Sequence, residues 1–208
     1  IVAHKRQALQ VIGMTVGLTI VYYAWAISAP AHAIAARGIA PTEAFWAGVI
    51  ANVVFIAVLP LWGALSDRIG RKPVLLTGAL GTAVLSFPLN AIIGDSAVML
   101  AAAMTVAMVF IAMGAAIVPA MYAEVFPTHI RTIGVGIPYS IAVAAFGGTA
   151  PYLQQLLGTT VGPNAFTLYV IVMLLISAAV IVRLPETRGK ELHEGSGANR
   201  SASSPAVG

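Results

Sequence analysis

The sequence predicts an all-α membrane protein built from six transmembrane helices. Of its 208 residues, 59% are hydrophobic and only 9% are charged, and the mean hydropathy is +0.92. A soluble domain of this length cannot bury so much apolar surface. The charged residues also cluster between long apolar stretches, as they do at the ends of membrane-spanning helices.

Six stretches reach the length of about 20 apolar residues that one crossing of a bilayer requires. In chain order they are 8–30, 44–65, 73–93, 97–120, 132–157 and 164–184. The fifth stretch is less regular than the others because Gly147, Gly148 and Pro151 interrupt it. We expect these residues either to bend the helix or to end it early and leave a re-entrant or interfacial piece.

The positions of the basic residues predict the orientation of the helices. With a cytoplasmic N-terminus, all but one of the 11 Lys and Arg residues fall on the cytoplasmic side, and the exception is Arg37. Both termini are therefore predicted to be cytoplasmic. The outer connections would be the loop 31–43, the turn 94–96 and the loop 158–163, and the polar, aperiodic residues 195–208 are predicted to form a disordered tail.

A charged turn, GALSDRIGRK at 63–72, joins the second and third stretches. Gly63 is expected to let two helices approach closely, and Gly70 to let the chain reverse direction. Two further motifs lie on the same predicted face: EVFPTHIR at 124–131 follows the fourth stretch, and RLPETRGKEL at 183–192 follows the sixth. Together the three motifs resemble the cytoplasmic loops of the major facilitator superfamily of transporters, in particular its metabolite:H⁺ symporter-like and sugar-porter-like members.

The resemblance extends from end to end of the chain and implies helices seven to twelve of a twelve-helix carrier. Two inverted three-helix repeats would then span 8–93 and 94–184. Residues 1–7 would be the end of the central cytoplasmic linker, and 185–208 a cytoplasmic tail. The implied function is secondary transport by alternating access, and the implied partners are a small-molecule substrate, H⁺, the lipid bilayer and the missing N-terminal six-helix half.

The acidic and basic residues of the three motifs are candidates for a cytoplasmic gate. Arginine forms planar, bidentate pairs with carboxylates, and a network of such pairs can hold helix ends together in one state of a rocking carrier. Each partly solvated pair contributes only about 0–1 kcal/mol, so only the network would bias the state. The candidates are Asp67, Arg68, Arg71, Glu124, Arg131, Glu186 and Arg188, with Gly63 and Gly70 shaping the turn. The alternative is that such charges only anchor helix ends at the membrane surface, which we favour for Lys5, Arg6 and Lys72.

Polar side chains inside the first stretch are candidates for the substrate cavity, because polar groups are costly at membrane depth. The resemblance places this stretch, the seventh helix of the carrier, beside the central cavity. Its polar and aromatic residues at helical spacing are predicted to share one face; they are Thr19, Tyr22, Trp25 and Ser28. The adjacent pair Tyr22 and Tyr23 resembles an aromatic cluster of metabolite symporters and offers hydroxyl donors. The alternative is an aromatic belt at the outer interface.

Two polar residues in other stretches are further candidates. Asn52 lies well inside the second stretch, where its amide either reaches the substrate or bonds to a neighbouring helix. Tyr139 in the fifth stretch is a weaker candidate. No Asp, Glu, Lys or Arg lies in the middle of any stretch. Groups that carry a proton or receive an anionic substrate are therefore expected in the missing half.

Other chemistry is not indicated by the sequence. There is no cysteine, so disulfide and thiolate chemistry are excluded. His4, His129 and His193 show no metal-ligand spacing, and His32 is expected to be a solvated loop residue at the outer mouth. The net charge of +4 is small and does not suggest nucleic-acid binding. We expect no cofactor, no metal and no enzymatic activity.

Three alternatives to a metabolite symporter are a sugar porter, an intramembrane hydrolase and a transport-inert sensor, and each would need particular sequence features. A sugar porter is favoured by the residues PETRG at 185–189, but the fifth stretch contains neither Trp nor Asn. An intramembrane hydrolase would need a nucleophile and a base at depth, and the sequence has no G-x-S-x-G or H-E-x-x-H motif. A transport-inert sensor on the same fold would carry a long folded extension rather than a short polar tail.

Overall fold

The computed structural model describes residues 5–125 and 130–184, with side chains described for all of these except 123–125 and 131. The described residues form six long helices. They are α1 (Lys5–Arg37), α2 (Pro41–Ile69), α3 (Arg71–Ile92), α4 (Ala97–Val125), α5 (Arg131–Thr160) and α6 (Ala165–Arg183). All six are long and apolar enough to cross a membrane, and no strand occurs in the described ranges. The predicted fold class is confirmed.

Short connections make neighbouring helices reverse direction, so the bundle has two ends. We call the end with the turn at Gly70 the motif end. The opposite end, with the connections 38–40, 93–96 and 161–164, is called the distal end. Gly70 has φ +102°, a conformation that favours glycine, which confirms its predicted role in reversing the chain.

The core of the bundle is centred on α4. Met104 and Met108 of this helix are fully buried in a cluster that reaches the distal end, and Met121 belongs to a second cluster at the motif end. Large apolar side chains such as Trp46 and Val84 are exposed on the outside of the bundle, at 61% and 74% of their surface. An apolar exterior of this kind is what a bilayer-embedded bundle presents to lipid.

Close packing of α1 against α6 depends on two glycines one turn apart. A Cβ added at Gly17 would lie 2.7 Å from Ser177 Oγ and 2.9 Å from the carbonyl oxygen of Met173, and one at Gly13 would lie 2.7 Å from Val180. The Ser177 hydroxyl accepts a hydrogen bond from the Gly17 N–H at 2.9 Å and donates one to the Gly13 carbonyl at 2.6 Å. It therefore bridges two backbone groups that would bond to each other directly in a regular helix.

Lys72, at the start of α3, caps the end of α6. Its ammonium group donates a hydrogen bond to the Val182 carbonyl at 2.9 Å and another to the Leu184 carbonyl. The last carbonyls of a helix have no partner within it, and a cation there also interacts favourably with the helix dipole. Lys72 is thus more than the surface anchor that the sequence suggested.

Lys72→Met should lower the stability of the bundle by about 1–2 kcal/mol, because the α6 carbonyls lose a charged donor. The thermal unfolding midpoint of the purified whole carrier in detergent measures this effect. Lys5→Met is the matched control, since Lys5 is an exposed lysine at the same end. Equal midpoints for the two variants would contradict the capping role.

The first helix is longer than predicted. Residues Tyr23–Ser28 form a π-helical turn, and the helix then continues through Ala29–Arg37 to Gly38, which has φ +70°. The predicted loop 31–43 is therefore wrong, and the connection is only 38–40. Pro30 does not end the helix, because the widened turn before it relieves the contact that a proline ring makes with the preceding turn. His32, predicted in that loop, lies on the helix.

The fifth helix also contains a π-helical turn, at Val143–Gly147. It runs from the α-helix Arg131–Ala142 through this turn and two further residues into Ala150–Thr160. Of the two predicted outcomes, an irregular helix that continues is the one observed. Pro151 occupies the first turn of the final segment, where a missing N–H leaves no bond unmade. The connection to α6 is 161–164 rather than the predicted 158–163.

Candidate functional site

The tyrosine pair of α1 lies at the middle of the helix. Tyr22 is the eighteenth of the 33 residues in Lys5–Arg37, because the helix extends beyond its predicted end. Its ring contacts Phe55 of α2, with 5.7 Å between the ring centroids, and Tyr23 in an edge-to-face arrangement at 6.4 Å. This central position favours the cavity-lining interpretation over an aromatic belt at the interface.

Tyr23 and Thr19 pack against the π-helical turn of α5. A Cβ added at Gly147 would lie 2.4 Å from Thr19 Cγ2 and 3.0 Å from Tyr23 Cε2. Thr19 is buried in this contact, at 8% exposure, whereas both tyrosines are half-buried. The absence of a side chain at Gly147 therefore sets how closely α1 and α5 approach beside the tyrosine pair.

Asn52 lies one turn before Phe55 on α2, on the same side of that helix. Its amide nitrogen donates a hydrogen bond to the Gly48 carbonyl of its own helix at 2.9 Å. The sequence left open a bond from the Asn52 amide to a neighbouring helix, but this bond lies within α2. Asn52 remains half-buried, and its amide oxygen is oriented by the bond that the nitrogen makes.

A second polar cluster lies closer to the motif end. Thr15 of α1 donates to the Val11 carbonyl at 2.6 Å, and its hydroxyl lies 2.5 Å from that of Tyr122 on α4. The Tyr122 ring packs edge-to-face against Tyr139 of α5 at 6.1 Å. Tyr139 itself is 45% exposed. The predicted residue Tyr139 is thus brought to α1 through a residue that the sequence analysis missed.

One signal in the sequence could have identified Tyr122: it is a tyrosine at the end of an apolar stretch, where its hydroxyl needs a hydrogen-bond partner. A phenol in a bilayer must donate its proton to another group. The sequence does not indicate that Thr15, 107 positions away, provides it. We use the name substrate surface for the residues that the proposal below assigns to the substrate: Thr19, Tyr22, Tyr23, Asn52 and Tyr139, together with Thr15 and Tyr122.

The prediction that four residues of α1 share one face is wrong. Thr19 and Tyr22 belong to the substrate surface, but Trp25 and Ser28 line a different cavity at the distal end. The π-helical turn explains the difference, because its wider turn shifts every later residue around the helix axis relative to a 3.6-residue period. The 3.6-residue period that relates Thr19 to Tyr22 therefore does not predict which way Trp25 and Ser28 face.

The charged turn at the motif end contains those predicted gate residues whose side chains the structure describes. Asp67 and Arg68 are exposed and Arg71 is half-buried. The close approach predicted at Gly63 is wrong within the described residues, where an added Cβ meets no atom within 4 Å. The adjacent Trp62 makes the contact to α4 instead, its indole N–H donating to the Val109 carbonyl at 3.0 Å.

The other predicted gate residues cannot be placed in the same way. The side chains of Glu124 and Arg131, and the whole of Glu186 and Arg188, lie outside the described residues. The ion-pair network therefore stays a prediction. Among the residues that the structure describes, no group of three or more His, Cys, Asp or Glu side chains could hold a metal ion.

Comparison with known proteins agrees with the six-helix bundle. The family model described as "Sugar (and other) transporter" matches residues 5–196, which is most of the chain. The chain belongs to this family. The resemblance to the major facilitator superfamily is thereby confirmed, and the family is one of transporters rather than enzymes.

Several curated relatives align with this transporter-family chain. The alpha-ketoglutarate permease of Escherichia coli (strain K12) is 29% identical over 183 residues, which cover 87% of this chain and 42% of the permease. The ectoine/proline transporter ProP of Corynebacterium glutamicum is 34% identical, with 67% of this chain and 28% of ProP covered. The citrate-proton symporter of Klebsiella pneumoniae is 31% identical, with 51% and 24% covered. The chain spans less than half the length of each of these relatives.

Proposed function

We propose that this chain is the C-terminal six-helix half of a secondary transporter that carries a small metabolite together with a proton by alternating access. The observation that carries the proposal is the position of three half-buried polar side chains, Tyr22, Tyr23 and Asn52. The two tyrosines lie at the π-helical turn in the middle of α1, and Asn52 lies one helical turn from the Phe55 ring that Tyr22 contacts. Polar groups at such depth indicate a substrate pathway. Single π-helical turns within α-helices are also frequent at functional sites.

The substrate class that fits best is a small organic acid or a similar metabolite. Three of the chain's relatives are named for alpha-ketoglutarate, for ectoine and proline, and for citrate with a proton. The substrate surface offers neutral hydroxyl and amide groups, which orient a carboxylate or zwitterion but do not neutralise it. We therefore place the basic group that would balance an anion, and the group that would carry the proton, in a further six helices.

A sugar facilitator is the second candidate. The description of the family names sugar first, and uncharged hydroxyl and amide groups such as those of Tyr22 and Asn52 suit a neutral hydroxylated substrate. A facilitator would need no proton-carrying group. The two candidates therefore differ in their dependence on a proton gradient.

Uptake by the whole carrier in proteoliposomes tests both candidates. Radiolabelled dicarboxylates, proline, betaine and hexoses are each offered with and without an inward proton gradient. Uptake of an acid or a zwitterion that rises with the gradient supports the symporter. Hexose uptake that is indifferent to the gradient supports the facilitator, and no uptake of any of these substrates contradicts both.

For the motif end we propose a gate on the cytoplasmic side, with both termini facing the cytoplasm. The charged turn supports this placement because it concentrates Arg68, Arg71 and Lys72 at one end of the bundle, as the excess of positive charge on cytoplasmic loops requires. Exposed Asp67 would pair with a base when the gate is closed. Its partners would come from the 124–131 and 183–192 motifs.

Asp67→Asn should lower uptake by about two- to fivefold while the amount of carrier in the membrane stays the same, because one pair of the proposed gate network, which contributes up to about 1 kcal/mol, is lost. Initial rates of uptake, normalised to carrier, give the measurement. Asp95→Asn is the matched control, since Asp95 is an exposed aspartate in the distal turn. Unchanged uptake by Asp67→Asn would exclude a gating role for this carboxylate.

A further inference from the structure

A cavity of about 610 Å³ opens at the distal end between α1, α3, α5 and α6. Its size lies within the range of small-molecule binding sites. It shares no lining residue with the substrate surface, whose side chains face α2, α4 and α5. The cavity therefore needs an explanation that does not depend on the proposed transport function.

The most informative group in this cavity is the hydroxyl of Ser28. Ser28 is 4% exposed, and its oxygen is buried without a hydrogen-bond partner in the described part of the chain. Other hydroxyls in the bundle donate to the carbonyl four residues earlier, as Thr82 and Ser86 do at 2.7 Å. Ser28 lies in the π-helical turn, whose bonding register displaces that carbonyl. A buried hydroxyl without a partner is costly, so a ligand that bonds to it would gain that energy.

The charge of the lining favours a neutral ligand. None of the described residues that line the cavity is Asp, Glu, Lys or Arg, and the only titratable side chain among them is the imidazole of His32. An ionic ligand would lose its hydration without an opposite charge to replace it. Anionic and cationic ligands are therefore disfavoured, and a neutral polar ligand fits.

The remaining polar groups favour a ligand that both donates and accepts hydrogen bonds. Asn90, Gln154 and Gln155 line the cavity with Ser28, and each carboxamide has a carbonyl acceptor and an NH₂ donor. The Asn90 nitrogen donates to the Ser86 carbonyl at 2.8 Å, which fixes the orientation of its amide. A ligand hydroxyl matches such groups, because it satisfies a carbonyl as a donor and an N–H as an acceptor.

Apolar rings complete the site. Trp25 is 4% exposed and Phe166 6%, and both line the same cavity as the amides. Rings of this kind provide a surface for the C–H groups of a sugar or polyol, while the amides bond to its hydroxyls. We propose that the distal cavity binds a neutral, hydroxyl-rich group, which is either a free sugar or polyol or the sugar headgroup of a glycolipid.

The test measures binding to the whole carrier in phospholipid nanodiscs without a proton gradient. Radiolabelled glucose is the probe for a free sugar, and radiolabelled octyl glucoside is the probe for a sugar attached to an alkyl chain. Gly158→Phe is the blocking variant: Gly158 lines the cavity, and an added Cβ there meets no atom within 4 Å. The new side chain therefore has open space at its Cβ and adds bulk to the lining of the cavity.

We expect saturable binding of at least one probe, weakened about tenfold or more in Gly158→Phe and about fivefold in Ser28→Ala, the latter being the effect of removing one neutral hydrogen bond. Ser140→Ala, an exposed serine outside the cavity, should bind as the unmodified carrier does. Glucose binding would identify a soluble ligand, and binding of octyl glucoside alone would identify a glycolipid.

Absence of saturable binding for both probes overturns the proposal. So does binding that is unchanged in both Gly158→Phe and Ser28→Ala, because the sugar would then occupy another part of the carrier. If Gly158→Phe fails to fold, Ser28→Ala against Ser140→Ala decides alone. Uptake assays are not involved, so failure here leaves the transport proposal untouched.

Discussion

Gly147→Ala should lower substrate uptake by about tenfold, mainly through a higher KM. The added Cβ would lie 2.4 Å from Thr19 Cγ2 and 3.0 Å from Tyr23 Cε2, so these side chains must shift or α1 and α5 must separate beside the tyrosine pair. Overpacking of this kind costs about 1–3 kcal/mol, and 1.4 kcal/mol corresponds to a tenfold change in binding. Initial uptake rates over a range of substrate concentrations, with the amount of carrier in the membrane determined in parallel, provide the measurement.

A second substitution, at Thr19, should restore the uptake that Gly147→Ala loses. Thr19→Ser removes the methyl group that the new Cβ would meet but keeps the hydroxyl, so the double variant should recover uptake to within about threefold of the unmodified carrier. Gly148→Ala is the control, since Gly148 is exposed and its nearest atom lies in its own helix. If Thr19→Ser gives no recovery, the loss comes from somewhere other than this contact.

Gly17→Ala should destabilise the whole bundle by about 1–3 kcal/mol, as overpacking of a close contact does. The added methyl group would lie 2.7 Å from Ser177 Oγ and 2.9 Å from the backbone oxygen of Met173. A backbone atom cannot rotate away, so α6 must move, and the bridge from Ser177 to Gly13 and Gly17 is strained or broken. The thermal unfolding midpoint of the purified carrier should fall.

Gly158→Ala is the matched control for this change. It adds the same methyl group to a helical glycine, but with no atom within 4 Å. Because alanine favours a helix over glycine by about 1 kcal/mol, the midpoint should stay the same or rise. A midpoint for Gly17→Ala that equals that of Gly158→Ala would show that the α1–α6 contact can accommodate a side chain.

The sequence was sufficient to predict the six helices, because long apolar stretches have few alternatives in a bilayer. It also predicted the turn at Gly70, since the motif requires a chain reversal there. The turn in α5 was predicted only as an irregularity, from Gly147, Gly148 and Pro151, and the π-helical turn in α1 was not predicted. Residues 23–28 contain no glycine or proline to mark an irregular turn, and they pack against α4 and α5.

Residues whose positions depend on contacts with other helices, or on an irregular turn, were predicted wrongly or missed. Trp25 and Ser28 were assigned to the face of Tyr22 by a period of 3.6 residues, which holds only in a regular helix. Lys72 was taken for a surface anchor because its acceptors, the Val182 and Leu184 carbonyls, are 110 and 112 positions away. Tyr122 was missed for a related reason, because backbone and hydroxyl partners supplied by another helix have no signature in a single sequence.

The Ser177 bridge has a consequence for how α1 can move. The bridge joins α1 to α6 at Gly13 and Gly17. The half of α1 that is nearer to the motif end is therefore held against α6. Beyond the bridge, α1 stays a regular α-helix as far as Tyr22 and then widens into the π-helical turn. Helices bend preferentially at such turns. Bending of α1 would thus swing its distal half about the tyrosine pair while its N-terminal half stays bonded to α6.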